Sequence, residues 1–353
     1  VPAEEGCTVS SLLPPPESRA TGIGALPHTD PRQACDEVLS LFPEIPYIPT
    51  LPNRGLLETI VFNDSARLPG GVVREGKLRV DSARDLAAEM EQIYLDFMEQ
   101  NTAPYAVTPE YYSGFSEMAG RDFSGSLFLK VQVTGPVTFG MQVVDERRRP
   151  IYYDDQFADV LGKMIALRAR WCEQAMLRFP GVTGTLVVLN EPYFASLGSS
   201  VVPVSRDSVA AGWHDIAGMV GGGLGIHCCS NTDWEFVMSL SPSLISFDAY
   251  TVAREFLLYP DELAEYLEGG GIVAWGIVPS QPDLFRECTD EQLYNVFAGI
   301  RDQVAGFCSP EIFYRQSAIT PTCGIQSGDR ETAFRIMHAA RTLSLQIREE
   351  YSG

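Results

Sequence analysis

Short apolar runs bounded by turn residues alternate along this chain with longer segments whose apolar residues recur at helical spacing. Residues 21–26 read as a first strand, stopped by Pro27 and followed by a helix over 31–41 that Asp30 is placed to cap. Residues 47–50 read as a weak second strand, because Pro46, Pro49 and Pro52 oppose regular pairing there. The spacing predicts a helix over 83–101, and 126–134 read as strand three, stopped by Gly135-Pro136. A long amphipathic helix over 155–178 leads to a nearly pure apolar strand four at 184–189. A helix over 207–220, strand five at 224–227 and strand six at 244–247 come next. Then follow a helix over 260–267, strand seven at 271–276, a helix over 290–304 and strand eight at 315–319. A helix over 329–349, free of Pro and Gly, closes the chain.

Eight short strands alternating with helices, several of them apolar throughout, match a parallel sheet buried on both faces and closed into an α/β (β/α)8 TIM barrel. Residues 1–19 carry Pro14-Pro15-Pro16 and little periodicity, so an irregular N-terminal arm is expected there. Barrels reach this length as one unit, so the expectation is a single domain over 1–353.

The formal charge of -20, from 26 basic and 46 acidic residues, opposes binding to phosphate backbones and acidic lipid. Nucleic acid is therefore not an expected partner, whereas a basic protein is compatible with this surface. No apolar run approaches the roughly 18 to 20 residues of a membrane span, and nothing near Val1 has the form of a signal peptide. A cytoplasmic protein away from membranes is the expectation. The eight cysteines are spread through a long chain, unlike a disulfide scaffold, which suits reduced thiols and metal ligands.

Polar residues punctuate the ends of these strands. His28 follows strand one, Gly135 strand three, Asn190 and Glu191 strand four, His227 and Cys229 strand five, Asp248 strand six and Cys323 strand eight. All fall at or just past C-terminal strand ends, the face on which such barrels build active sites. His227 and Cys229 are two apart, so in a strand they face one side and make half of a tetrahedral zinc site. Cys323, in a loop flanked by Pro and Gly, is the candidate third ligand, while Cys228 points the other way, into the core. Asp248 is a fourth ligand, a partner behind one, or a plain helix cap.

Asn190 and Glu191 are candidate catalytic groups at the barrel mouth, although a buried Glu paired with Arg would read the same way. His28 and Gly135 are candidate substrate contacts, with a loop residue and a strand stop as their plainer readings. Arg147-Arg-Arg149 lies among acids and reads as a self-paired loop or as a receiver of an anion. Gly221-Gly-Gly223 precedes a strand instead of following one, so it is no dinucleotide fingerprint.

Five motifs together resemble a known family. Thr21-Gly-Ile-Gly-Ala-Leu-Pro-His-Thr29, Thr134-Gly-Pro-Val-Thr138, Asn190-Glu-Pro192, His227-Cys-Cys229 and Thr320-Pro-Thr-Cys-Gly324 resemble, in order, motifs of the catalytic barrel of cobalamin-independent methionine synthase. That barrel belongs with the uroporphyrinogen decarboxylases and the cobamide-dependent methyltransferases. The resemblance runs from about Thr21 to the last helix, and His-x-Cys with a distant Cys is its most specific part. It implies one zinc ion per chain on His227, Cys229 and Cys323, with the family's ligand Glu falling on Asp248. It also implies methyl transfer to a small-molecule thiol, such as homocysteine, from methyl-folate or from a methylcobamide on a corrinoid protein.

The departures bear on the acceptor. Gly24-Ala25 stands where the family's Gly-Ser meets the amino-acid part of homocysteine, which makes both candidate substrate-binding positions. Asn190 replaces an Asp, and the Glu expected after the second strand has no counterpart around Pro52-Asn53-Arg54. Thiol chemistry is therefore better supported than homocysteine itself. One barrel is legible, where folate-using relatives carry two, which favours a corrinoid protein as donor. The alternatives are a lyase resembling uroporphyrinogen decarboxylase and a non-catalytic corrinoid- or metal-binding protein.

Overall fold

Eight strands form among the described residues, and six of them correspond to strands that the pattern predicts. The computed structural model describes residues 13–197 and 204–352, so most of the expected N-terminal arm lies outside the described residues. β1 (Gly71–Arg74) and β2 (Lys77–Val80) pair as a small antiparallel hairpin. β3 (Leu129–Thr134), β4 (Thr185–Asn190), β5 (Gly223–Cys228), β6 (Leu244–Phe247), β7 (Ile272–Val278) and β8 (Ser317–Pro321) form one parallel sheet in chain order. β3, β5, β6, β7 and β8 are buried at every residue, as expected for a parallel sheet covered by helices. The result is an α/β fold with a curled parallel sheet.

The first two expected strands do not join it as regular strands. Single parallel bridges link Ala20 to Ile319 of β8, Ala25 to Thr50, and Tyr47 to Lys130 of β3. Gly24 sits at φ +89, which no strand residue adopts, and Pro46 and Pro49 have no N–H to donate to a ladder. The last expected strand also shifts, to 317–321, because Pro310–Arg315 forms a helix capped by the Ser309 side chain. The helix expected over 83–101 is confined to Ala87–Met98.

Alternate residues of the strands serve different layers. Phe128, Leu186, Val188, Leu244, Ala274 and Ala318 pack together with Leu13 on the sheet face turned away from the helices. Their neighbours Val131, Val133, Val187, Leu189, Ile226 and Ile319 belong to the larger core shared with the helices. Two residues further along β4, β6 and β8 the first face turns polar at Asn190, Ser246 and Thr320, and Gln132 of β3 and His227 of β5 lie on the same face towards the C-terminal ends. The strand register sets Asn190 beside His227 and His227 beside Ser246. No helix among the described residues is long and apolar enough to cross a membrane.

Candidate metal centre

His227 lies near the end of β5, Cys229 just past it, and Cys323 two residues beyond β8. The curl of the sheet brings the two strand ends together, so that the ligand atoms of the three residues lie within 4.8 Å of one another. His227 is buried, and its Nδ1 is 3.0 Å from the Ser246 hydroxyl on the neighbouring strand. Its other ring nitrogen, Nε2, is buried with no hydrogen-bond partner. A buried imidazole nitrogen left without a partner is costly, and a metal ion on Nε2 would satisfy it. Contacts with the Cys323 thiol and with His227 pull the Cys229 thiol down, against the effect of burial, while the contact with Cys229 and burial push the Cys323 thiol up. The Cys229–Cys323 contact therefore favours a thiolate on Cys229, the form that ligates metals.

Cys228 belongs to the core and its thiol is pushed up to about 12 by burial. Asp248 is not one of the three converging groups. Its Oδ1 accepts from the Thr251 N–H at 3.0 Å and its Oδ2 from the Thr251 hydroxyl at 2.7 Å, so it caps the helix Ala249–Phe256. Burial raises its carboxyl, and the nearby Cys229 adds to the rise.

The other candidates divide. Gly24, Ala25, Asn190, His227, Cys229 and Cys323 line one cavity of about 270 Å³. Glu191 is 1% exposed and turns back on the helix Pro136–Gln142, accepting from the N–H groups of Val137 at 3.0 Å and Thr138 at 2.7 Å. It is bound to backbone donors at a helix start and not to an Arg, and burial pushes its carboxyl up to about 7. Gly135 leaves room for that carboxylate, since a Cβ there would lie 2.2 Å from Glu191 Oε1. His28 is a buried residue whose Nε2 is 2.9 Å from Glu37, which in turn pairs with Arg330 of the last helix. These contacts tie two outer helices together, away from the residues lining the cavity. In the Arg147–Arg149 loop, Asp145 accepts from the N–H groups of Arg147 and Arg149, a self-contained turn.

No protein-family model matches the chain, and no curated protein matches its sequence. Solved structures do match. A Listeria monocytogenes protein, provisionally assigned as a vitamin-B12-independent methionine synthase, superposes with a TM-score of 0.56 at 12% identity, over 90% of this chain and 86% of that one. The chain is thus similar in fold to a provisionally assigned B12-independent methionine synthase, at low sequence identity. A B12-independent methionine synthase from Shewanella sp. W3-18-1, solved with selenomethionine, aligns with a TM-score of 0.46 at 16% identity. That alignment covers 64% of this chain and 63% of the Shewanella chain. The likeness is one of fold.

The cavity also contains residues that the motifs did not single out. Glu58 is 3% exposed, accepts from the Leu51 N–H at 3.0 Å and pairs with Arg54 Nε at 2.8 Å. It is a Glu beyond the second expected strand, four residues past the stretch where one was sought, and it lies in short 3-10 turns that have no readable period. Gln132 was signalled more plainly, as a polar residue in the apolar run of strand three. Asn63, Gln142 and Gln326 complete a wall rich in carboxamides.

Proposed function

We propose that the protein is a zinc-dependent methyltransferase that acts on a small-molecule thiol. In this reading its single domain is a (β/α)8 barrel, and the bridged segments 20–26 and 46–50 take the places of the two remaining strands. The observation that carries the proposal is the convergence of His227 Nε2 and the Cys229 and Cys323 thiols at the cavity. One imidazole and two thiolates suit zinc, and three protein ligands leave a fourth position open, as in catalytic sites. Zinc bound there would lower the pKa of an acceptor thiol and keep it a thiolate at neutral pH.

The chain's own residues supply orientation. Ser246 engages His227 Nδ1 and so directs Nε2 to the cavity. Gly24, Ala25, Gln132 and Asn190 form the wall against which the acceptor rests. Holding the sulfur in line with the methyl carbon lowers the barrier by several kcal/mol. The acceptor sulfur forms the new S–C bond as the methyl group's bond to its donor breaks, and the donor leaves with the other electron pair. The donor is a methyl-folate or a methylated corrinoid on a partner protein, and a cavity of about 270 Å³ requires a corrinoid to present its methyl group from outside. The same size, together with a lining that has no Lys or Arg among the described residues, disfavours a lyase acting on a polycarboxylate tetrapyrrole.

Zinc content and zinc-edge X-ray absorption of the native protein and of Cys323→Ser test this proposal. The expected result is near one zinc per chain with two sulfur neighbours, a third on adding an acceptor thiol, and loss of stoichiometric zinc in the variant. Full zinc retention by Cys323→Ser sinks the ligand set. Protein prepared with zinc supplied that still carries none sinks the methyltransferase reading.

A further inference from the structure

A second arrangement in the cavity is not explained by the metal ligands. Gln132 Nε2 donates to Asn190 Oδ1 at 2.6 Å, while Gln132 Oε1 is buried and accepts no hydrogen bond among the described residues. Gln132 is only 3% exposed, so bulk water does not compensate it. Gly24, at φ +89, is shaped around this group, because a Cβ there would lie 2.4 Å from Gln132 Oε1. Exchanging O and N in both amides gives the same outcome: the pair retains one acceptor oxygen and spare N–H donors, all on uncharged groups. A buried acceptor left unmatched is costly, and a complementary ligand recovers that cost.

Position and charge narrow the ligand. Asn190 is the register neighbour of His227, and β3, which carries Gln132, is the next strand over. Adjacent strands lie about 4.8 Å apart, so the pair stands one to two strand spacings from the imidazole. That distance is a few bonds from a sulfur held beside His227. Glu58, the acid lining the cavity, accepts from the Leu51 N–H through Oε2 and is ion-paired with Arg54 through Oε1, an oxygen that accepts no hydrogen bond among the described residues. No Lys or Arg among the described residues lines the cavity. A ligand's carboxylate therefore meets no cation in this wall and an ammonium meets only the Glu58 that Arg54 already neutralises, whereas a neutral group with one donor and one acceptor meets its complement at Gln132 and Asn190.

We propose that the acceptor thiol carries a neutral amide about two to four bonds from its sulfur, read by Gln132 and Asn190. Its N–H donates to the free carboxamide oxygen and its carbonyl accepts from one of the spare N–H groups of the pair. This inference rests on the thiol-binding reading above. A site built around buried hydrogen-bonding groups rejects ligands that leave them unpaired.

The test is titration calorimetry of the zinc-loaded protein with N-acetylcysteamine, cysteamine, 3-mercaptopropionate and homocysteine, each affinity corrected for the thiol's own pKa. Zinc-edge sulfur counts run alongside. N-acetylcysteamine is expected to bind at least about tenfold more tightly than the three charged thiols. Gln132→Leu is expected to erase that advantage at unchanged zinc content, and Asn190→Asp to shift preference toward cysteamine. Equal or tighter binding of cysteamine or homocysteine to the native protein overturns the proposal, as does an unchanged order in Gln132→Leu. If every thiol adds a sulfur with equal affinity, the thiol-binding reading stands and the amide specificity falls. If none adds a sulfur, the reading itself fails and the inference with it.

Discussion

The two sides of the cavity are held in different ways. His227 and Cys229 stand at the end of β5, which parallel ladders hold on both sides, and Cys323 follows β8, which pairs with β7 in a ladder that shifts register between Gly276 and Val278. The remaining wall, formed by Gly24, Ala25, Thr50, Glu58, Ile60 and Asn63, has single bridges in place of a ladder, and it meets the Cys323 loop where the Ala25 carbonyl accepts from the Ile325 N–H at 2.9 Å. Individual buried polar contacts hold it. Lys130 Nζ donates to the Gly22 carbonyl, and Asp64 accepts from the Thr134 N–H at 2.8 Å. The Thr134 hydroxyl accepts from the N–H of Val61, a β-branched residue held at φ +73. A ladder shares its load over many bonds, so the ladder-held strands should tolerate the loss of any one contact behind them better than the bridged wall does.

The sharpest way to break that comparison is Arg168→Met. Arg168 and Asp64 are both buried, with Arg168 Nε 3.4 Å from Asp64 Oδ1, and Arg168 Nη1 also donates to the Tyr105 carbonyl at 2.7 Å. Burial already raises the Asp64 carboxyl, and Arg168 opposes that rise. Removing the guanidinium leaves an uncompensated acid under the 52–64 segment, at a cost of about 3–5 kcal/mol. Urea unfolding should show this loss, and the folded variant should keep its zinc because no ligand lies on that side. A loss under about 1 kcal/mol would mean that the segment is held by other contacts.

Ser246→Ala probes the ladder side and has a smaller expected effect. It removes the hydroxyl 3.0 Å from His227 Nδ1 while leaving β6 paired on both sides. Zinc affinity, measured by chelator competition, is expected to fall about 10- to 100-fold, with little change in the unfolding of the metal-free protein. Unchanged affinity would show that strand packing alone orients the imidazole.

The same contrast explains what was legible in the sequence. The strands from residue 129 onward are buried on both faces, and their unbroken apolar runs announce them. His227 and Cys229 were legible because a spacing of two at a strand end fixes a common face. Residues 21–26 look like a strand by composition, yet the conformation of Gly24 forbids one. The hairpin of β1 and β2 escaped because most of its residues are exposed, so alternation around Glu75-Gly76 is faint. Glu191 sits at a strand end like the ligands do, and spacing along the chain does not reveal that its carboxylate turns toward the start of the helix Pro136–Gln142.

Asp248 lies where the two ways of reading a strand-end acid diverge, and Asp248→Ala has the smallest expected effect. Both carboxylate oxygens are engaged by Thr251, so the side chain acts as the cap of the helix Ala249–Phe256. Truncation should cost about 1 kcal/mol of stability, the usual loss for a helix cap. Zinc affinity should stay within a few-fold of native. To ligate, the carboxylate would have to give up two hydrogen bonds, and an Asp has one methylene less reach than the Glu that the resemblance places there. Asp248→Asn separates the contributions, because it keeps an oxygen for the Thr251 N–H and removes the negative charge beside Cys229. If either variant loses about 100-fold or more in zinc affinity, Asp248 leaves its cap for the metal, and the open fourth position assigned to the acceptor sulfur is taken by the protein.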